Sequence, residues 1–118
     1  MLFMPSEDQA TRLNDIIKNC ERIKRHTSDM TWNKFLLDEK TTDAVERCFE
    51  RIAEASRKLG DRFDAAYPEL KLLDLRGFGS ILRHDYDSVS PGLLWKFIQE
   101  RLPPLETMAR AELAKLEG

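Results

Sequence analysis

Arg83, His84 and Tyr86 stand almost side by side in the stretch Gly79-Ser80-Ile81-Leu82-Arg83-His84-Asp85-Tyr86. An imidazole exchanges protons near neutral pH, a guanidinium holds phosphate oxygens, and a phenol donates a hydrogen bond or accepts a modification. Together these groups suit phosphodiester chemistry. Elsewhere the chain has no Gly-rich phosphate loop, no nucleophile elbow and no metal-ligand set, so this segment is where chemistry is expected. A plainer reading competes. A His near the end of a helix complements the helix dipole, and Arg83 with Asp87 forms an ordinary i,i+4 pair. Spacing alone favours this plainer reading.

Helical geometry sharpens the pattern. Residues seven apart fall almost in register, so Arg76 and Arg83 share one stripe, with Gly77, Ser80 and His84 on the neighbouring one. Gly77 and Gly79 each cost a helix about 1 kcal/mol relative to alanine. Close approach of another backbone would compensate, either across a homodimer seam or inside the bundle, and the two readings weigh equally. His84 and Tyr86 point to different sides of a continuous helix. They converge only where the helix ends, which Asp85, Asp87, Ser88 and the following Pro91-Gly92 allow.

The positioning elements read as helices throughout. Ser6-Glu7-Asp8-Gln9 after Pro5 forms a capping box for a first helix, whose stripe is Leu13, Ile16, Ile17, Cys20 and Ile23 and which frays near Thr27-Ser28-Asp29. A short helical piece holds Trp32, Phe35 and Leu36. A second long stripe, Ala44, Val45, Cys48, Ile52, Ala55 and Leu59, stops at Gly60; its opposite face carries mixed charge, including Arg47, Glu50, Arg51 and Glu54. Beyond Tyr67-Pro68, a third helix built on Leu72, Leu75, Phe78 and Leu82 runs to about Tyr86. Ser90-Pro91-Gly92 opens a fourth with Leu94, Trp95, Ile98 and Leu102 inward. Pro103-Pro104 is expected to break or kink it, leaving a short final helix with Leu105, Met108 and Leu116. No segment alternates with period two. The prediction is an all-α, up-and-down bundle of four main helices with short extras, a single domain over 1–118.

The chain has 118 residues, of which 34% are charged and 42% hydrophobic, enough to bury a core without disulfides or metal. Its formal net charge of −2 gives no global field for nucleic acid, so any RNA contact needs a local or dimer-generated basic patch. Lys18, Arg22, Lys24, Arg25 and His26 are one basic cluster, more simply read as a solvated face. Cys20 and Cys48 read as buried free thiols, in keeping with a reducing cytoplasm. The Met1-Leu2-Phe3-Met4-Pro5 start is too short for a signal segment and no run reaches membrane-span length, so a cytoplasmic protein without membrane contact is expected.

In the order and spacing of these pieces the chain resembles the HepT-like family of HEPN-domain toxins, which are encoded beside MNT-type nucleotidyltransferase antitoxins. The resemblance covers Leu13-Asn14-Asp15-Ile16, Phe35-Leu36, Asp43-Ala44-Val45, Ile52-Ala53-Glu54-Ala55, Pro68, His84-Asp85-Tyr86, and Leu94-Trp95 through Leu102-Pro103. It implies a homodimeric, metal-independent endoribonuclease without a cofactor, whose two motifs meet across the seam. In that family a His transfers protons, an Arg steadies the phosphate, and the antitoxin uses ATP to adenylylate a Tyr two residues after the His. Carried over, His84 is the proton-transfer group and Tyr86 the modified residue, with RNA and not DNA as substrate.

The family's Arg, five residues before the His, does not carry over: Gly79 stands there, followed by Ser80 in place of the usual Asn. Arg76 and Arg83, one turn to either side, are the candidate replacements. A catalytically degenerate scaffold for the nucleotidyltransferase is the competing reading, and a nucleotide-holding subunit using the Arg76–Arg83 stripe is a third.

Overall fold

The computed structural model describes residues 5–84 and 89–118, with side chains from residue 8 onward except that of Arg83. The described residues form helices and no strand: α1 (Pro5–Thr27), α2 (Trp32–Leu37), α3 (Glu39–Leu59), α4 (Leu72–His84), α5 (Pro91–Lys96) and α6 (Leu102–Glu117). The side chains of the expected Ser6 capping box lie outside the described residues, as does the segment at Tyr86 where α4 was expected to end.

Local chemistry sets the visible helix ends. Thr31 caps α2 by accepting from the Lys34 N–H, and Asp38 Oδ1 caps α3 by accepting from the Thr41 N–H at 3.0 Å. Gly60 ends α3 at φ 69°, a left-handed conformation that a Cβ would strain. Ser90 Oγ accepts from the Leu93 N–H at 3.2 Å, with Pro91 in the first turn of α5 where no intrahelical donor is needed.

Pro103-Pro104 is expected to break or kink the helix that opens with α5 and leave a short final one; the interruption instead lies just ahead of the prolines, and the final helix is long. α5 passes through one wide turn, Phe97–Arg101, in which the Leu102 N–H reaches back to the Phe97 carbonyl, and α6 then runs on for 16 residues. That wide turn resets the ladder, so both prolines fall in the first turn of α6, where a missing N–H costs nothing. α5 and α6 therefore act as one long helical arm with a bulge. Leu116, near the end of α6, is 37% exposed.

α1 and α4 flank α3, and α6 packs along α1. The apolar stripes meet in one core in which Leu13, Ile16, Ile23, Phe35, Val45, Ile52 and Leu94 have no exposed surface. An aromatic cluster locks α4 in place: Phe78 stacks on Phe97 with ring centroids 4.7 Å apart, and Phe49 meets both rings edge-on. No described helix is long and apolar enough to cross a membrane.

Candidate functional site

The packing of α4 decides what its sequence offers to solvent. Leu72, Leu75, Phe78, Gly79 and Leu82 occupy the buried arc. At about 100° per residue the opposite arc holds Leu73, Gly77, Ser80, Ile81 and His84, and all five are exposed. Leu73 is 71% and Ile81 45% exposed, so this outward stripe is part apolar and ends on an imidazole.

The two glycines have different surroundings. A Cβ built on Gly77 would meet nothing within 4 Å, so packing within the bundle gives no reason for glycine there. Gly79 faces inward and is buried. The position where the resembling family carries its Arg therefore lies on the core side of α4 in this chain. Arg83 follows one turn later in α4, next to His84 in the chain, and its side chain lies outside the described ones.

Arg76 borders the buried and exposed arcs, but its guanidinium is already engaged. Nη1 donates to Asp64 Oδ1 and to the Gly60 carbonyl, both at 2.9 Å, while Nη2 donates to Asp64 Oδ2 at 2.7 Å. Only 15% of the side chain is exposed. The hydrogen bonds from Arg76 hold the Asp64 carboxyl below its ordinary range. Arg76 thus buckles α4 to the turn after α3, and lies eight residues from His84, roughly 12 Å along the axis. The structure brings His84, Ser80 and Gly77 onto one exposed stripe. Arg76 is tied elsewhere, and Tyr86 is outside the described residues.

The basic cluster on α1 divides as well. Lys24 reaches Glu106 on α6 at 2.8 Å, and Arg110 pairs with the same carboxylate at 2.9 Å. Burial tends to raise the Glu106 pKa, but the hydrogen bonds from Lys24 and Arg110 outweigh it and the net direction is down. Burial, reinforced by the Glu106 charge, pushes the neighbouring Cys20 thiol up to about 12, so it is no nucleophile. Lys18 and Arg22 turn instead toward α3, where they line one groove with Arg47 and Arg51. In the sequence these four fall on two separate charged faces, that of α1 read as solvated and that of α3 as solvated or partner-facing. Their common signal, a basic pair at i,i+4 on each helix, says nothing of which helices become neighbours.

A family model described as ribonuclease HepT-like matches residues 16–112. A Methanocaldococcus jannaschii protein bearing the name "Putative RNase" is 33% identical over 100 residues, spanning 85% of this chain and 83% of its own. A Thermococcus cleftensis protein named "Probable ribonuclease HepT" is 34% identical over 94 residues, spanning 80% of this chain and 86% of its own. A second M. jannaschii protein with an RNase name is 30% identical over 103 residues, spanning 87% of this chain and 94% of its own. No solved structure gives a significant match.

Proposed function

The chain belongs to the ribonuclease HepT-like family, and from that premise we propose that it is the RNA-cleaving toxin of a toxin–antitoxin pair, acting as a homodimer through α4. The observation that carries this reading is the exposed α4 stripe, in which Gly77 leaves open space between the apolar Leu73 and Ile81 and the stripe ends on His84. A mid-helix glycine with no neighbour in its own chain makes sense where another backbone approaches. A seam on this stripe includes His84 and Arg83 of each copy.

Two imidazoles supply what metal-free RNA cleavage needs. One takes the proton from a ribose 2′-hydroxyl, whose oxygen then attacks the adjacent phosphorus. The other returns a proton to the departing 5′-oxygen. The products are a 2′,3′-cyclic phosphate and a 5′-hydroxyl, so no water or oxidant is consumed. The Arg83 guanidinium stabilises the charge that builds on the phosphoryl oxygens. Adenylylation of Tyr86 by a nucleotidyltransferase partner would place bulk and negative charge two residues from His84 and silence the cleft.

The second reading, a scaffold that binds the nucleotidyltransferase without cutting RNA, is favoured by the buried Gly79 where the family Arg is absent. Induced expression separates the two. Toxicity and RNA cleavage that vanish in His84→Ala but persist in Tyr86→Phe support the nuclease. A soluble wild-type protein that inhibits no growth and cuts no RNA leaves the scaffold.

A further inference from the structure

Between α1 and α3 runs a groove of about 490 Å³, within the range of roughly 300–1,000 Å³ that ligand sites occupy. Its lining carries five cationic side chains against three carboxylates, the reverse of the chain's net negative balance. Two of the cations are partly neutralised by long contacts, Arg12 to Asp15 at 3.5 Å and Arg47 to Glu50 at 3.6 Å. Lys18, Arg22 and Arg51 form no ion pair with any described residue. Nearby, burial raises the Cys48 thiol, and the positive charges of Arg51, Arg22, Arg25 and Arg47 oppose it. Arg12 Nε and Asn19 Oδ1, both in the lining, have no hydrogen-bond partner among the described residues.

We infer that the α1–α3 groove is a track for the sugar-phosphate strand of single-stranded RNA, feeding the α4 stripe that carries His84. The inference rests on the ribonuclease reading for its substrate class, and supplies the local basic patch that a chain of net charge −2 requires. The cations stand in two facing columns, Lys18 and Arg22 on α1 and Arg47 and Arg51 on α3. Members of a column are one helical turn apart, about 6 Å. Successive phosphates of an extended strand repeat on a comparable scale. Among the described residues no aromatic ring lines the groove, so they offer a lone nucleotide base no stacking platform, whereas a strand held by its phosphates needs none. The location fits: α3 lies between α1 and α4, so its charged outer face is bordered by the groove on one side and by α4 on the other.

The test measures binding of a fluorescein-labelled, unstructured single-stranded RNA to the full-length His84→Ala chain over a range of salt. Adding Arg22→Glu and Arg51→Glu should weaken binding tenfold or more, and flatten the slope of log affinity against log salt by about 0.7 per lost phosphate contact. Lys58→Glu, an exposed cation of α3 outside the groove, should leave both unchanged. All three positions are exposed, and circular dichroism verifies the fold. No RNA binding, or unchanged affinity and slope in the double variant, overturns the inference, as does a groove change that weakens ATP binding alone. The nuclease reading is judged separately. Groove-dependent binding with no cleavage by the wild type sinks the nuclease and keeps the track. Cleavage with an unaltered KM in the double variant sinks the track and keeps the nuclease.

Discussion

Arg76 and Asp64 meet as a two-pronged ion pair, with the Arg76 Nη1 also donating to the Gly60 carbonyl. Planar guanidinium and carboxylate match bond for bond, an arrangement that fixes direction as well as distance. The pair therefore fastens α4 to the turn that follows α3. It gives Arg76 a structural role, although sequence periodicity places it on the same stripe as Arg83.

The first prediction follows from the sign of that coupling. The Asp64 carboxyl titrates below its ordinary value because Arg76 hydrogen-bonds its charged form. Such a group adds stability above the unfolded-state value, near 3.9 for an aspartate, and loses it as pH falls through the lower folded-state value. Asp64→Asn should melt at a lower temperature than wild type at pH 7, with the gap closing toward pH 3. A gap that is the same at both pH values would refute the coupling. In the same melts Arg76→Ala should be destabilised at pH 7, while the folded fraction retains its RNA cleavage.

For the chemistry itself, His84→Ala should reduce RNA cleavage by roughly 10²–10⁴-fold, the usual contribution of a positioned proton-transfer group. Because His84 is exposed, its melting temperature should hardly move. Arg83→Ala should also lose cleavage, whereas Arg83→Lys should recover only part, since an ammonium keeps charge but not the forked geometry. Full cleavage by both Arg83→Ala and Arg76→Ala would mean that no arginine of α4 replaces the one absent at Gly79.

Gly77 separates an interface from an accident. Its surroundings are open, so within one chain Gly77→Ala should raise helix stability by roughly 0.5–1 kcal/mol. Across a seam that needs close approach, Gly77→Arg should instead dissociate the dimer, visible as a halved mass in light scattering. If the mass of Gly77→Arg equals that of wild type, α4 does not form the seam.

Most of this architecture was legible because helical stripes are periodic: the stripe from Leu13 to Ile23 and that from Val45 to Leu59 are both core, and Gly60 ends α3 as its freedom suggests. Pro103-Pro104 misled because a proline pair reads as a stop, and the wide turn that accommodates it depends on Phe97 and Leu102 both being anchored in the core, a tertiary condition. At the candidate site, the outward placement of His84 and the room at Gly77 depend on which arc Phe78 stacks, and the partner of Arg76 lies twelve residues away in a turn. Local pattern fixes which residues share a face. It does not say which face another element covers.

Phe35 gives a last prediction on stability. It sits in α2, six residues long, too short to persist in water by helical hydrogen bonding alone. Phe35 is wholly buried, and its ring lies 5.1 Å from that of Trp95, centroid to centroid, so it anchors α2 against the arm that begins at α5. Truncation removes both the buried area and the ring pairing, and the short helix has few other anchors: Trp32 is 39% and Leu37 85% exposed. Phe35→Ala should therefore cost about 3–5 kcal/mol in denaturant unfolding. Trp95 emission should shift to the red at denaturant concentrations where the far-ultraviolet circular dichroism of the long helices is still intact, because α2 releases before the bundle does. A variant whose fluorescence and dichroism melt together would show that α2 is held as part of the main core, with Phe35 only one contact among several.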